Sequence, residues 1–165
     1  MTTMLPDLTK VDLVDQIIQR LSQDLTLFIN AAKTAHEAAI DEENQPDNKY
    51  DTTALEASYV AQGQANRAQA LRRSIEIYKH LVLIPLGDTI LLSSLVMLED
   101  VYGVQKQVFI GPVEGGLKIS VESNDVTVIT PVSPLGRALI GRTAGDSVQI
   151  KSGTTYTSYN ILEIK

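Results

Sequence analysis

Two stretches of the chain repeat apolar residues at alternating steps of three and four, and this repeat restricts the fold more than any other feature. The first runs through Val11, Val14, Ile18, Leu21, Leu25, Phe28, Ala32, Ala35 and Ala39. The second runs through Ala54, Ala57, Ala61, Gln64, Ala68, Leu71, Ile75, Tyr78 and Val82, with Gln64 its one polar member. That spacing is the seam of a coiled coil. Thr9 before Asp12, and Thr53 before Glu56, have the capping-box separation at two starts, and Pro85 is the expected stop of the second helix. The intervening DEENQPDNKYD is rich in turn formers. Two long helices joined by so short a turn run antiparallel. Large seam residues then face one another at the base, while alanine faces alanine near the turn, which predicts a slender far end. Roughly thirty residues per arm at about 1.5 Å each give a rod on the order of 45 to 50 Å long.

Beyond Pro85 the period changes. TILLSSLVML, KQVFIG, LKISVE, DVTVIT, DSVQIK and TYTSYNILEI are rich in β-branched residues and separated by Gly, Asn, Asp or Pro, so they read as strands. One short helix is expected at SPLGRALIG, with Ser133 at the N-cap, Pro134 at the first helical position and Gly141 in the left-handed position after the last turn. The apolar run Leu81 to Leu98 is broken by Pro85, Gly87 and Asp88, and reads as a helix end followed by a buried strand rather than a membrane span. The expected class is α+β: an antiparallel helical hairpin over residues 1–84, followed by a small β-rich domain over 85–165.

The chain carries a net charge of -6, and most of it is local. Glu37, Asp41, Glu42, Glu43, Asp47 and Asp51 stand against Lys49 alone, whereas the rest of the chain is close to neutral. An overall acidic chain does not bind phosphate backbones nonspecifically. The chain has no cysteine, and its first residues, MTTMLPDLTK, lack the basic start and apolar run of a signal peptide, so the cytoplasm is the expected compartment.

VTVITPVSPLGRALIGRTAGDSVQI, from Val126 to Ile150, resembles the C-terminal signature of the Gre transcription elongation factors: a strand, then Ser133-Pro134, Arg137, Leu139, Ile140 and Gly141, then Gly145-Asp146 leading into a strand. The resemblance implies that the second domain has a fold like that of the FK506-binding proteins. It also implies that this domain docks at the rim of the secondary channel of the bacterial RNA polymerase core, with Ser133, Pro134, Arg137, Gly141, Gly145 and Asp146 as the family signature. The hairpin would then enter the channel and bring Asp41, Glu42, Glu43, Asp47, Asn48 and Asp51 toward the active-centre magnesium, with Asp47 and Asp51 candidates to share it. That magnesium belongs to the polymerase, and the resemblance implies no cofactor of the chain's own. Carboxylates are hard oxygen ligands suited to such an ion. NKYDTTALEASYVAQGQANR resembles the second helix of a divergent Gre-like branch. In cleavage-competent members two acids, three residues apart, precede a Gln-Gly pair. Counting back from Gln62-Gly63 places Asn48 and Asp51 at those positions, so one carboxylate is an amide here. The expected activity is regulation of backtracked or paused elongation by a monomer without an active site, touching nucleic acid only within the polymerase complex. An alternative is an inhibitor or channel competitor that does not stimulate cleavage.

Other readings of the same residues remain open from sequence. The acid cluster is also what a solvated hairpin turn looks like, with Asp51 or Thr53 capping the second helix. A prolyl isomerase would share the fold, but two Phe and no Trp are few for an aromatic-lined pocket. A self-associating heptad module would reveal itself by dimerisation. His36 and His80 fall at opposite ends of the hairpin and read as ordinary helix residues, not metal ligands. Ser133 and Asp146 have no neighbouring Cys or His to make a nucleophile-base pair. Tyr50 and Tyr59 near the turn have faces that stack on bases or pack across the hairpin.

Overall fold

The computed structural model describes residues 9–43, 52–85, 87–121 and 123–165. Its first two elements are helices, α1 over Lys10–Glu43 and α2 over Thr52–Lys79. Thr9 starts α1 as expected: its Oγ1 accepts the Asp12 amide at 3.1 Å and its carbonyl accepts the Leu13 amide at 3.0 Å. Asp12 in the first turn also suits the positive end of the helix dipole. With 34 residues, α1 extends about 50 Å.

The chain divides into two compact units, one formed by Ile18–Glu76 and the other by Met1–Ile17 with Ile77–Lys165. The first unit holds most of both helices. Ala32, Lys33 and His36, late in α1, share a groove with Ser58, Ala61, Gln62 and Ala65, early in α2, so the helices run antiparallel. Leu21, Ala39, Ala68, Leu71 and Ile75 are buried along the seam, small residues in some layers and large ones in others. Gln64, the one polar break in the second seam, tucks its Oε1 out of solvent with no hydrogen-bond partner among the described residues.

The ends of the helices depart from the heptad expectation. Val11 is 58% exposed and Val82 78% exposed, while Leu13 and Ile17 are fully buried. Leu13 and Ile17, four residues apart, make a stripe off the heptad seam that joins it at Leu21. Up to Ile17 the helix belongs to the unit of the sheet, so its buried face answers to a different neighbour. Val82 lies past the end of α2, which stops at Lys79 rather than at Pro85. The exit strand of chain is tied down elsewhere: the Ile84 amide donates to Ser93 Oγ at 3.0 Å, and Lys10 Nζ donates to the Ile84 carbonyl at 2.8 Å.

The second unit contains β1 (Leu95–Asp100), β2 (Gln105–Ile110), β3 (Lys118–Val121), β4 (Asn124–Ile129), α3 (Pro134–Leu139), β5 (Ser147–Ser152) and β6 (Thr155–Ile164). The six strands form one sheet in the order β3-β4-β2-β1-β6-β5. Every pairing is antiparallel except β2 with β4, where Gln107 to Ile110 run parallel to Val126 to Ile129. The expected strand at TILLSSLVML is shorter than its composition suggests, because Leu91 and Leu92 turn and Ser93 takes a positive φ of 73°. Ser93 and Ser94 spend their hydroxyls on the Ile84 and Leu91 amides, and such local bonds compete with a sheet ladder. Thr89 survives only as a single bridge to Thr143.

Both faces of the sheet are covered. On one, Val96, Leu98, Val108, Ile110, Ile129, Val148, Ile161 and Ile164 form a core with Ile90 and Leu139, joined by Leu135 and Ile140 from and just after α3. The registers Leu95↔Phe109 and Phe109↔Val128 line up a second buried row on the opposite face. Among the described residues no helix is long and apolar enough to cross a membrane.

Candidate functional site

The segment from Thr130 to Asp146 is built on backbone constraints. Ser133 is extended at φ -70° and ψ 156°, and its Oγ accepts the Gly136 amide at 3.1 Å while donating to the Thr130 carbonyl at 2.7 Å. Pro134 follows at the first turn, where a missing N–H costs nothing. Gly136 packs so tightly on the Thr130 carbonyl that no side chain fits between them. Gly141, at φ 85°, ends the helix, and its amide is taken by the Ile90 carbonyl at 2.8 Å. Arg137 projects from α3 into solvent.

Downstream, Gly145 at φ 93° and Asp146 close the turn into β5. One oxygen of Asp146 accepts the Thr143 amide at 2.9 Å and the Thr143 hydroxyl at 3.2 Å. These bonds, the amide foremost, hold its carboxyl below the usual carboxylate range. Ser133, Pro134, Arg137, Gly141, Gly145 and Asp146 therefore lie along one cap–helix–turn. Ser133 is engaged by Thr130 and Gly136, a structural arrangement with no base beside the hydroxyl among the described residues.

The acidic residues lie in the other unit. Asp41 is exposed in the last turn of α1, and Glu42 and Glu43 follow it in the same helix. Asp47, Asn48 and Asp51, together with Tyr50, lie outside the described residues. Tyr59 is an exposed residue of α2. Neither His36, on the groove between the helices, nor His80 joins a metal-ligating group, and no cluster of three or more His, Cys, Asp or Glu suited to a metal occurs among the described residues.

Three residues to which the sequence reading gave no part in a site complete the picture. Tyr78, in the last turn of α2, is 1% exposed, and its hydroxyl donates to the Val113 carbonyl at 2.7 Å. Its phenol lies against Gly111, where any side chain would collide with it and with Val128. Thr130 is the third, since its carbonyl receives both the Ser133 amide at 3.1 Å and the Ser133 hydroxyl. A Gly beside a strand end was the available signal for Gly111; nothing in the sequence names its partner. A cleft of about 400 Å³ lies at Gly87, Asp88, Thr143, Ala144 and Leu162 to Ile164, and no aromatic side chain lines it.

Residues 87–165, the whole sheet with α3, match the family described as transcription elongation factor, GreA/GreB, C-terminal. This second domain is therefore similar to the GreA/GreB C-terminal domain. It follows a pair of long helices in the chain, and the architecture is α+β as expected. The chain is also similar to solved structures. GreA factor homolog 1 (Gfh1) of Thermus thermophilus shares 22% identity, with 90% of this chain and 94% of that one covered at a TM-score of 0.37. A structure of the transcription factor Gfh1 shares 26%, covering 89% and 92% at a TM-score of 0.38. Gfh1 of Thermus aquaticus shares 24%, covering 88% and 92% at a TM-score of 0.39. No curated protein sequence matches the chain.

Proposed function

We propose that this protein binds bacterial RNA polymerase as a monomeric Gre-like factor, docks through its C-terminal domain at the secondary channel, and inserts its helical hairpin toward the active centre. The observation that carries the reading is the GreA/GreB domain over residues 87–165, preceded in the same chain by two antiparallel helices whose connection is rich in acids. A helix pair with alanine in its seam is slender, and a slender rod with carboxylates at its end suits a narrow passage leading to magnesium. The chain supplies no active site in this reading. It alters what the polymerase does with a backtracked or paused transcript, and the magnesium is the polymerase's own.

Transcript cleavage is stimulated weakly. Asn48 stands where a second carboxylate would be, and an amide oxygen coordinates magnesium without the negative charge that helps recruit a second divalent ion. The protein then acts mainly by occupying the channel. Incubating the full chain with cognate core polymerase, followed by affinity capture and transcript cleavage in a backtracked complex, tests both parts. Retention with the polymerase and slow cleavage are expected. Failure to bind overturns the reading, and vigorous release of short 3′ RNA fragments overturns its second part. Sedimentation should give a monomer, since the heptad seam is consumed within one chain.

A further inference from the structure

Strand β6 outruns the strand that pairs with it on its outer side. β5 accompanies it as far as Ser147↔Asn160, and Ile161 then exchanges backbone bonds at 2.8 Å with Gly145 and Asp146. Upstream of Gly145 the chain has left β6, for Thr143 bridges to Thr89 instead. Residues 162–164 therefore run on with β1 along one side only. On the other side, in place of a strand, lies the cleft of about 400 Å³ walled by Gly87, Asp88, Thr143 and Ala144.

The register fixes where the main chain points there. Leu95 and Lys165 exchange both of their backbone bonds at 2.8 Å, and in an antiparallel pair such exchanges alternate with residue pairs that make none. Val96↔Ile164 is thus a pair without bonds, and Ile164 aims its amide and carbonyl away from β1, toward the cleft. The irregularity between Met97 and Leu98 places the extra residue at Leu162, so Ile161 and Ile164 address the same edge. Ile161 finds its partners in the turn before β5; among the described residues no backbone partner meets Ile164 on that side. The Ile164 side chain is buried in the core, which anchors this edge from behind.

The charge on the cleft has one sign. Asp88 and Glu163 are the charged residues among the described lining, and both are acids. Pairing this edge with a second copy of itself would set each acid against its own kind, which disfavours self-association. A polyanion is disfavoured on the same ground. An extended segment with Lys or Arg at alternate positions answers both features, main chain beside main chain and cation beside carboxylate.

We propose that this cleft is a peptide site, in which a basic extended segment of a partner protein adds to β6 as an extra strand over residues 162–164. At the rise of a strand this is about 10 Å of pairing. The segment exchanges amide and carbonyl with Ile164, its basic side chains meet Asp88 and Glu163, and Ala144 is the small wall that leaves it room. The site lies wholly within the unit of the sheet and stands or falls independently of the polymerase reading.

The experiment titrates the ¹⁵N-labelled full-length chain with a capped hexapeptide of alternating valine and lysine. The amides of Ile164, Ala144 and Asp88 should shift along one saturating curve, and hydrogen exchange at Ile164 should slow. Methylating the peptide nitrogens along one edge should weaken binding about tenfold, the loss expected when a main-chain bond is replaced by an unpaired carbonyl. Glutamate in place of lysine should weaken it about fivefold, as suits two exposed charge pairs, and Asp88→Lys should abolish most of that preference. Absence of shifts at millimolar peptide, or shifts centred elsewhere, overturns the site. An N-methylated peptide that binds as tightly as its parent overturns the strand pairing, and indifference to glutamate or to Asp88→Lys overturns the acidic recognition. Concentration-dependent shifts of the same amides without peptide assign the edge to a second copy of the chain, and overturn the peptide site as well.

Discussion

Gly136 rests directly on the carbonyl of Thr130, with the Ser133 hydroxyl on the same oxygen at 2.7 Å. Backbone against backbone leaves no flexible atom to move aside. Gly136→Ala should therefore cost about 3 kcal/mol, the upper end of overpacking penalties, even though alanine is the better helix former. Urea unfolding of the two proteins measures this, and a neutral or stabilising outcome would mean that the turn relaxes freely.

The Tyr78 phenol ionises well above the ordinary tyrosine value, first because burial disfavours the phenolate and second because Glu114 lies nearby. The folded state thus holds a proton that the unfolded chain gives up near pH 10. Its contribution to stability is complete below that pH and declines as pH rises further. Denaturant titrations between neutral and strongly alkaline pH should show a steeper loss for the natural protein than for Tyr78→Phe, which has no such proton. Parallel curves would refute the assignment.

Asp146 behaves in the opposite sense. Its carboxyl is held down by the Thr143 amide and hydroxyl, so the charged form is favoured in the folded state. Stability from this turn is present above about pH 4 and is lost as pH falls through the depressed folded value. Asp146→Asn should flatten that part of the acid profile, and a carboxyl-detected NMR titration should place Asp146 below the exposed carboxylates of the chain.

The proposed function makes charge at the connection between the helices decisive. In a backtracked elongation complex, Asn48→Asp should raise transcript cleavage roughly tenfold or more, in keeping with positioned metal ligation, while Asp51→Asn should abolish what cleavage there is. No gain from Asn48→Asp, with binding intact, would show that this pair is not the metal-facing one.

What the sequence made legible follows from how local the determinant is. Ser133, Pro134 and Gly141 were readable because a helix cap is decided within a few residues. Strands β2 to β6 were readable for the same reason, each bounded by its own turn formers. The heptads identified two helices but misjudged their ends. Val11 and Val82 fit the repeat and are exposed, while Leu13 and Ile17 break it and are buried, because the repeat describes helix against helix and not what else a helix end packs on. The serines at 93 and 94 cut a strand that composition favoured, through bonds to residues that composition does not reveal. Gly111 and Gly136 were invisible as constraints, since each is defined by a partner, Tyr78 or Thr130, whose approach only the fold supplies. Of the candidate site, the signature turn was legible residue by residue; the acids at Asp47 and Asp51 were legible only as charge.

The strand at the centre of the domain also orders its birth. β1 pairs with β2, made almost at once, and with β6, made last; Leu95 and Lys165 exchange both of their backbone bonds at 2.8 Å. At about 5 to 20 residues per second, ribosomal synthesis leaves β1 waiting several seconds for that second neighbour. Ile18–Glu76, a compact unit by itself, is complete in sequence before β1 is made. A nascent chain halted before residue 155 would carry the helices and a sheet whose central strand lacks one neighbour.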